Sequence, residues 1–166
     1  AHVNLGAVLR MRDQLDEAKT HLRRALELDP ANAAAHTNLG GTFAAERRFS
    51  EAVSEYRLAL RANPDLLEPL TDLAWILATT KDGALRAPGE AVRLGERAVS
   101  LTAQRDVRAL ETSAAAFAAN KQFAQAVAAQ ERAIGIATLN RASSAVIDQL
   151  RERLELYRRD VAYVEP

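Results

Sequence analysis

Asn4-Leu5-Gly6-Ala7-Val8-Leu9 returns 34 residues later as Asn38-Leu39-Gly40-Gly41-Thr42-Phe43. The same offset carries Ala18 onto Ala52, Leu22 onto Tyr56, Ala25 onto Ala59, Leu26 onto Leu60 and Pro30 onto Pro64. Self-similarity at a fixed period of this size means stacked copies of one small unit. Each recurring residue has a physical reason. A side chain on Gly6 or Gly40 would push one helix off its partner, and Ala18 and Ala52 are the small residues expected on the facing helix. Ala25 and Ala59 let that second helix approach the next unit. Leu9 and Phe43, with Leu22 and Tyr56, fill the space between. Pro30 and Pro64 end a helix, because proline has no N–H and clashes with the preceding turn.

Two further copies follow. Leu73-Ala74 takes the Leu-Gly position, and Ala91 and Ala98 take the two alanine positions. Ala52 to Ala91 is 39 residues rather than 34, so five extra residues lie between the helices of this unit, within Thr79 to Pro88. Thr80-Lys81-Asp82-Gly83 reads as a turn and Pro88 suits a first helical turn. The fourth copy keeps Ala114, Ala126 and Ala133, with Phe117 and Phe123 at the large positions, but Ser113 replaces Leu and Thr138 replaces Pro. Residues 143–159 form one more amphipathic helix. Ile147, Leu150, Leu154 and Tyr157 share its apolar face, and Arg141, Arg151, Arg153, Arg158 and Arg159 lie mostly off it. The predicted helices are 2–12, 16–28, 33–46, 50–62, 67–79, 88–101, 107–119, 123–137 and 143–159, with no strand pattern.

The 34-residue period with these small and large positions resembles the tetratricopeptide repeat (TPR). The resemblance covers essentially the whole chain. It implies an all-α, right-handed superhelical α-solenoid of four TPR helix pairs plus a C-terminal capping helix. The repeats are expected at about 1–32, 33–66, 67–105 and 106–140, with the cap at about 143–159 and the whole of 1–166 as a single domain. Leu73-Ala74-Trp75-Ile76-Leu77-Ala78-Thr79, its long loop and the ending Leu150 to Tyr157 also resemble the C-terminal array of larger bacterial TPR proteins. The helical pattern opens at Ala1 without a signal peptide, as expected of a piece cut from a longer chain.

Composition narrows the function. Lys plus Arg is 22 and Asp plus Glu is 22, for a net charge of zero. Residues 1–66 hold nine of each sign, so no cationic cluster is set apart for nucleic acid. There is no cysteine and no apolar run of membrane-spanning length. His2 and His36 stand one period apart, but no third ligand accompanies them, so no metal site is expected. His21 reads as a rim residue. No carboxylate pair sits in an apolar setting, no glycine-rich phosphate loop occurs, and Ser143-Ser144 reads as a helix cap. No catalytic residue and no cofactor are expected, and the chain is read as no enzyme.

The resemblance implies a partner polypeptide in the concave groove lined by the first helix of each pair. The groove residues singled out are Asn4, Arg10, Thr37, Asn38, Thr71, Asp72, Trp75, Arg108 and Glu111. Asn4 and Asn38 match the asparagine of the clamp by which one TPR class holds chaperone C-terminal carboxylates. The clamp's Lys and Arg positions hold Val3, Thr37, Ala34 and Glu68, so that ligand is rejected. What remains is a small-sided, nearly neutral groove with one large aromatic, Trp75, which either faces the partner or packs against the long third loop. The expected function is a protein-interaction module binding a peptide or helix. The alternatives are self-association as a homo-oligomeric structural element, or a regulatory array of a larger enzyme.

Overall fold

The structure is a computed structural model that describes residues 1–165. Every regular element among them is an α-helix: α1 His2–Met11, α2 Leu15–Leu28, α3 Ala33–Ala45, α4 Phe49–Ala62, α5 Leu67–Thr79, α6 Pro88–Leu101, α7 Val107–Ala119, α8 Phe123–Leu139 and α9 Ser144–Arg158. These bounds fall within two residues of those read from the periodicity, and the chain is an all-α helical-repeat solenoid. Its tertiary contacts form two compact units, Ala1–Leu73 and the residues from Ala74 on, with the division inside α5.

In the first unit α1 packs on α2 and α3, α2 on α3, and α3 on α4. The glycines decide the spacing. A Cβ on Gly6 would stand 2.6 Å from Leu22 Cγ, and one on Gly40 would stand 2.8 Å from the Tyr56 ring. The gap left by each glycine is filled by the large residue of the facing helix, Leu22 or Tyr56, as expected, with Ala18 and Ala52 on those same helices. Those alanines are wholly buried and lie one turn away. In the second unit α6 packs on α7, α7 on α8, and α8 on α9. Gly95 occupies the position of Leu22 and Tyr56, four residues after the first alanine of its pair. A Cβ there would meet Ser113 Cα at 3.0 Å, so α6 and α7 approach nearly backbone to backbone.

Helix ends follow one design. Asn32, Asp106 and Ser143 cap α3, α7 and α9 by accepting a hydrogen bond from the amide three residues on. Six helices finish in a Schellman turn, in which the next two amides bond back to carbonyls of the last turn. For α1 these bonds are Asp13 N–H to Arg10 O and Gln14 N–H to Leu9 O; for α9 they are Asp160 N–H to Tyr157 O and Val161 N–H to Leu156 O. The residue that turns left-handed is never glycine: Asp13, Arg47, Ala103, Lys121, Arg141 and Asp160 take φ between 48° and 61°. The inserted loop after α5 is held by Asp82, whose side chain accepts from Ala84 N–H, and by Ala87 N–H bonding back to Leu77 O. Pro88 opens α6.

These gaps set a contrast between glycines. Gly40→Ala forces the buried Tyr56 ring to move and is expected to lower stability by about 1–3 kcal/mol. Gly135 lies inside α8, and a Cβ there would have nothing within 4 Å. Gly135→Ala is expected to raise stability by about 0.5–1 kcal/mol. Urea denaturation midpoints of the two variants check both signs.

Candidate functional site

Several polar side chains of α1, α3 and the first part of α5 are engaged with one another, with the intervening helices or with their own helices. Arg10 extends across Gly41, where a Cβ would meet its guanidinium at 3.0 Å, and donates to Glu68 at 3.2 Å. Its Nε is buried without a hydrogen-bond partner. The Tyr56 hydroxyl donates to Asp72 at 2.9 Å. Burial raises the Tyr56 pKa far above the ordinary phenol value, and the Asp72 and Glu68 carboxylates push the same way. Thr37 and Thr71 are buried and donate to Ala33 O and Leu67 O of their own helices, as Asn38 does to Ala34 O. Asn4 is exposed. Asp72 thus bonds a buried tyrosine, and the hydroxyls read as peptide donors already have acceptors within the helix.

The histidines have separate settings. His2 stacks on His21, with ring centroids 5.2 Å apart. His36 is buried between the Glu55 carboxylate at 2.7 Å and Pro30 O at 3.0 Å. His21, read as a rim residue, is therefore the stacking partner of His2.

In the second unit Trp75, Arg108 and Glu111 line one cleft of 210 Å³ with Thr112, Gln149 and Arg153. Trp75 is half-buried. Its partners come from α9 and from the non-helical segment 161–165 that follows. The Arg153 guanidinium lies 5.2 Å from the Trp75 ring centroid and 4.8 Å from that of Tyr163. The two rings are 5.7 Å apart. Arg153 also pairs with Glu111. Burial pushes the Glu111 carboxyl above its ordinary pKa, against the opposing pull of Arg153 and then Arg108. The Trp75 indole N–H donates to Glu165 at 3.0 Å, and Glu165 N–H donates to Thr79 O at 3.0 Å.

Two of these participants differ from the sequence reading. Arg153, placed off the working face of the last helix, is half-buried and central to the cleft. The segment after Arg159, given no role, supplies Tyr163 and Glu165. A larger hollow of 490 Å³ lies among α6, α7 and α8 and uses a different face of α7, through Leu110, Ser113 and Phe117.

Arg153 compensates a carboxylate that is largely out of water, and this fixes a pH dependence. In Arg153→Met, Glu111 keeps its burial and loses its nearest cation, so its folded-state pKa rises further above the unfolded value. Stability from a raised carboxyl is complete below the unfolded pKa and is lost as pH climbs through the folded one. The deficit of the variant is therefore expected to grow from pH 4 upward, reaching roughly 1–3 kcal/mol near neutrality, a range reduced from that of fully buried pairs because both groups keep some exposure. Denaturation midpoints of both proteins across that pH range check it.

Comparison with known proteins agrees with this architecture. A model of the TPR repeat matches residues 6–46, and a tetratricopeptide-repeat model matches residues 33–66. Among solved structures, Pseudomonas aeruginosa PilF is 27% identical over 95% of this chain and 70% of its own, with a TM-score of 0.71. MamA is 18% identical over 96% of this chain and 87% of its own, with a TM-score of 0.70. YrrB, described as a TPR protein with an unusual peptide-binding site, is 21% identical over 95% and 89%, with a TM-score of 0.66. No curated protein matches the chain.

Proposed function

Because this chain is a tetratricopeptide-repeat protein, a kind that generally mediates protein–protein interaction, we propose that it binds a peptide or helix of a partner on the faces of its odd-numbered helices. The repeats are taken as about 1–32, 33–66, 67–105 and 106–140, acting as a single domain with 143–159 as a cap. The observation that carries the reading is the cleft in which Trp75 stands half-buried beside Arg108, Glu111 and Arg153. A large aromatic flanked by a guanidinium and a carboxylate is the residue mixture in which binding energy concentrates. The work proposed is recognition, with no catalytic residue and no cofactor, and no helix among the described residues is long and apolar enough to cross a membrane.

A second reading, self-association, is favoured by one observation. Leu5, Val8 and Met11 form an exposed apolar row on α1, with Met11 82% exposed. Light-scattering mass separates the two. An 18.1 kDa species that holds its mass over a tenfold concentration range supports recognition of a foreign partner. A mass that doubles, and reverts in Met11→Arg, moves the weight to assembly.

The recognition reading has its own test. Selection from a random-peptide display library is expected to yield binders whose affinity falls at least tenfold in Trp75→Ala, about 1.4 kcal/mol or more, and is unchanged in Arg132→Ala, which alters the hollow among α6, α7 and α8. Binders indifferent to Trp75, Asn38 and Asp72 replacements would remove these faces as the site.

A further inference from the structure

Beside the cleft it lines with Arg108 and Glu111, Trp75 also meets a length of the chain's own polypeptide. The Schellman turn at Asp160 reverses the chain after α9, and residues 161–165 then run without helical structure to the end of α5. Among the last three, Tyr163 is half-buried, Val164 exposed and Glu165 half-buried. Residues two apart on an extended chain point the same way, and here both meet Trp75.

Three contacts of different chemistry hold the segment. The first is aromatic, with Tyr163 on the Arg153 guanidinium and against the Trp75 ring. The second is ionic in kind, a hydrogen bond from the neutral indole N–H of Trp75 to the Glu165 carboxylate. The third reads only backbone. Thr79 is the last residue of α5, so its carbonyl has no partner further along the helix, and Glu165 N–H fills it. Around these, Ala162 and Tyr163 are only partly buried against the cluster of Ala114, Ala118, Ala126 and Tyr157. No residue of the segment is fully buried and it belongs to no helix, the setting in which local opening costs least.

We infer that the seat formed by the Trp75 ring, the Arg153 guanidinium and the Thr79 carbonyl is a receptor for an extended peptide carrying an aromatic residue followed two positions later by a carboxylate, and that the chain's own Tyr163-Val164-Glu165 is the ligand held there until a partner segment of the same chemistry displaces it. The inference rests on the recognition reading and adds the chemistry of the partner and a regulatory element. The internal segment lowers the apparent affinity for any competitor by the fraction of time the seat stands open, and its tether supplies an effective concentration on the order of millimolar.

Trp75 is the single tryptophan of the chain, so its fluorescence reports occupancy directly. The full chain is compared with its Tyr163→Ala, Glu165→Ala double variant, in which both replacements lie outside any helix. The neutral quencher acrylamide is used, and circular dichroism confirms equal helix content. The expected result is a red-shifted emission and at least a twofold larger quenching constant in the double variant. An acetylated, amidated Val-Ala-Tyr-Val-Glu peptide at millimolar concentration should return the variant to the parent values. The same peptide should bind the parent at least tenfold more weakly, and a peptide with Ala in place of Tyr and Glu should do nothing.

Equal quenching in parent and double variant would overturn the seating of the segment. Increased quenching that the peptide fails to reverse would overturn the receptor and leave the segment a fixed strut. Either failure is distinct from failure of the recognition reading, which the display selection tests through foreign binders that lose affinity in Trp75→Ala whatever their own sequence.

Discussion

The close approach of paired helices at a missing side chain governs the rest of the molecule. Leu22 over Gly6 and Tyr56 over Gly40 occupy space that a single methyl would close. Interiors pack too densely to absorb such a loss freely. With the pairs this close, α1 and α3 become neighbours, and the face they share is lined by small residues. Arg10 can then lie flat across Gly41. The second unit meets the same constraint differently. Bulk has been removed from the second helix, at Gly95, and from the following helix, at Ser113, and the two backbones have closed the gap. The replacement of leucine by Ser113 is one half of a paired change.

The polar groups of the odd-numbered helices are largely committed before any partner arrives. Arg10 holds Glu68, Tyr56 holds Asp72, and Arg153 holds Glu111. A ligand must exchange these internal bonds for its own, and the net gain from each exchange is small.

The helices and their pairing were legible because they depend on residues close in sequence: a 3.6-residue apolar rhythm, a 34-residue period, and prolines after the second helix. The six left-handed turns carried no such sign, since none uses glycine, although the helix limits they enforce were found from periodicity alone. The segment seated against Trp75 was not legible. Trp75 and Glu165 lie 90 residues apart, and the segment 161–165 is too short to show a rhythm of its own. Arg153 was misplaced for a related reason. Five arginines cluster near the last helix and resemble a solvated face, and only the position of Trp75 and Tyr163 in space draws one of them inward. Trp75 itself was found as the one large aromatic of its face, while its contacts with Arg153 and Tyr163 were not.

Stacked repeats generally behave as a one-dimensional chain of beads, each bead feeling only the next, so that an end unit can fray while the rest stays folded. Arg10 breaks that rule. From α1 it passes over α3 and ends on α5, skipping the intervening helix pair. Such a bond couples the first bead to the third, and α1 cannot peel away without also releasing a carboxylate two pairs further in. This one partly exposed ion pair is weak in energy, yet it ties the end of the array to a helix beyond its nearest neighbours.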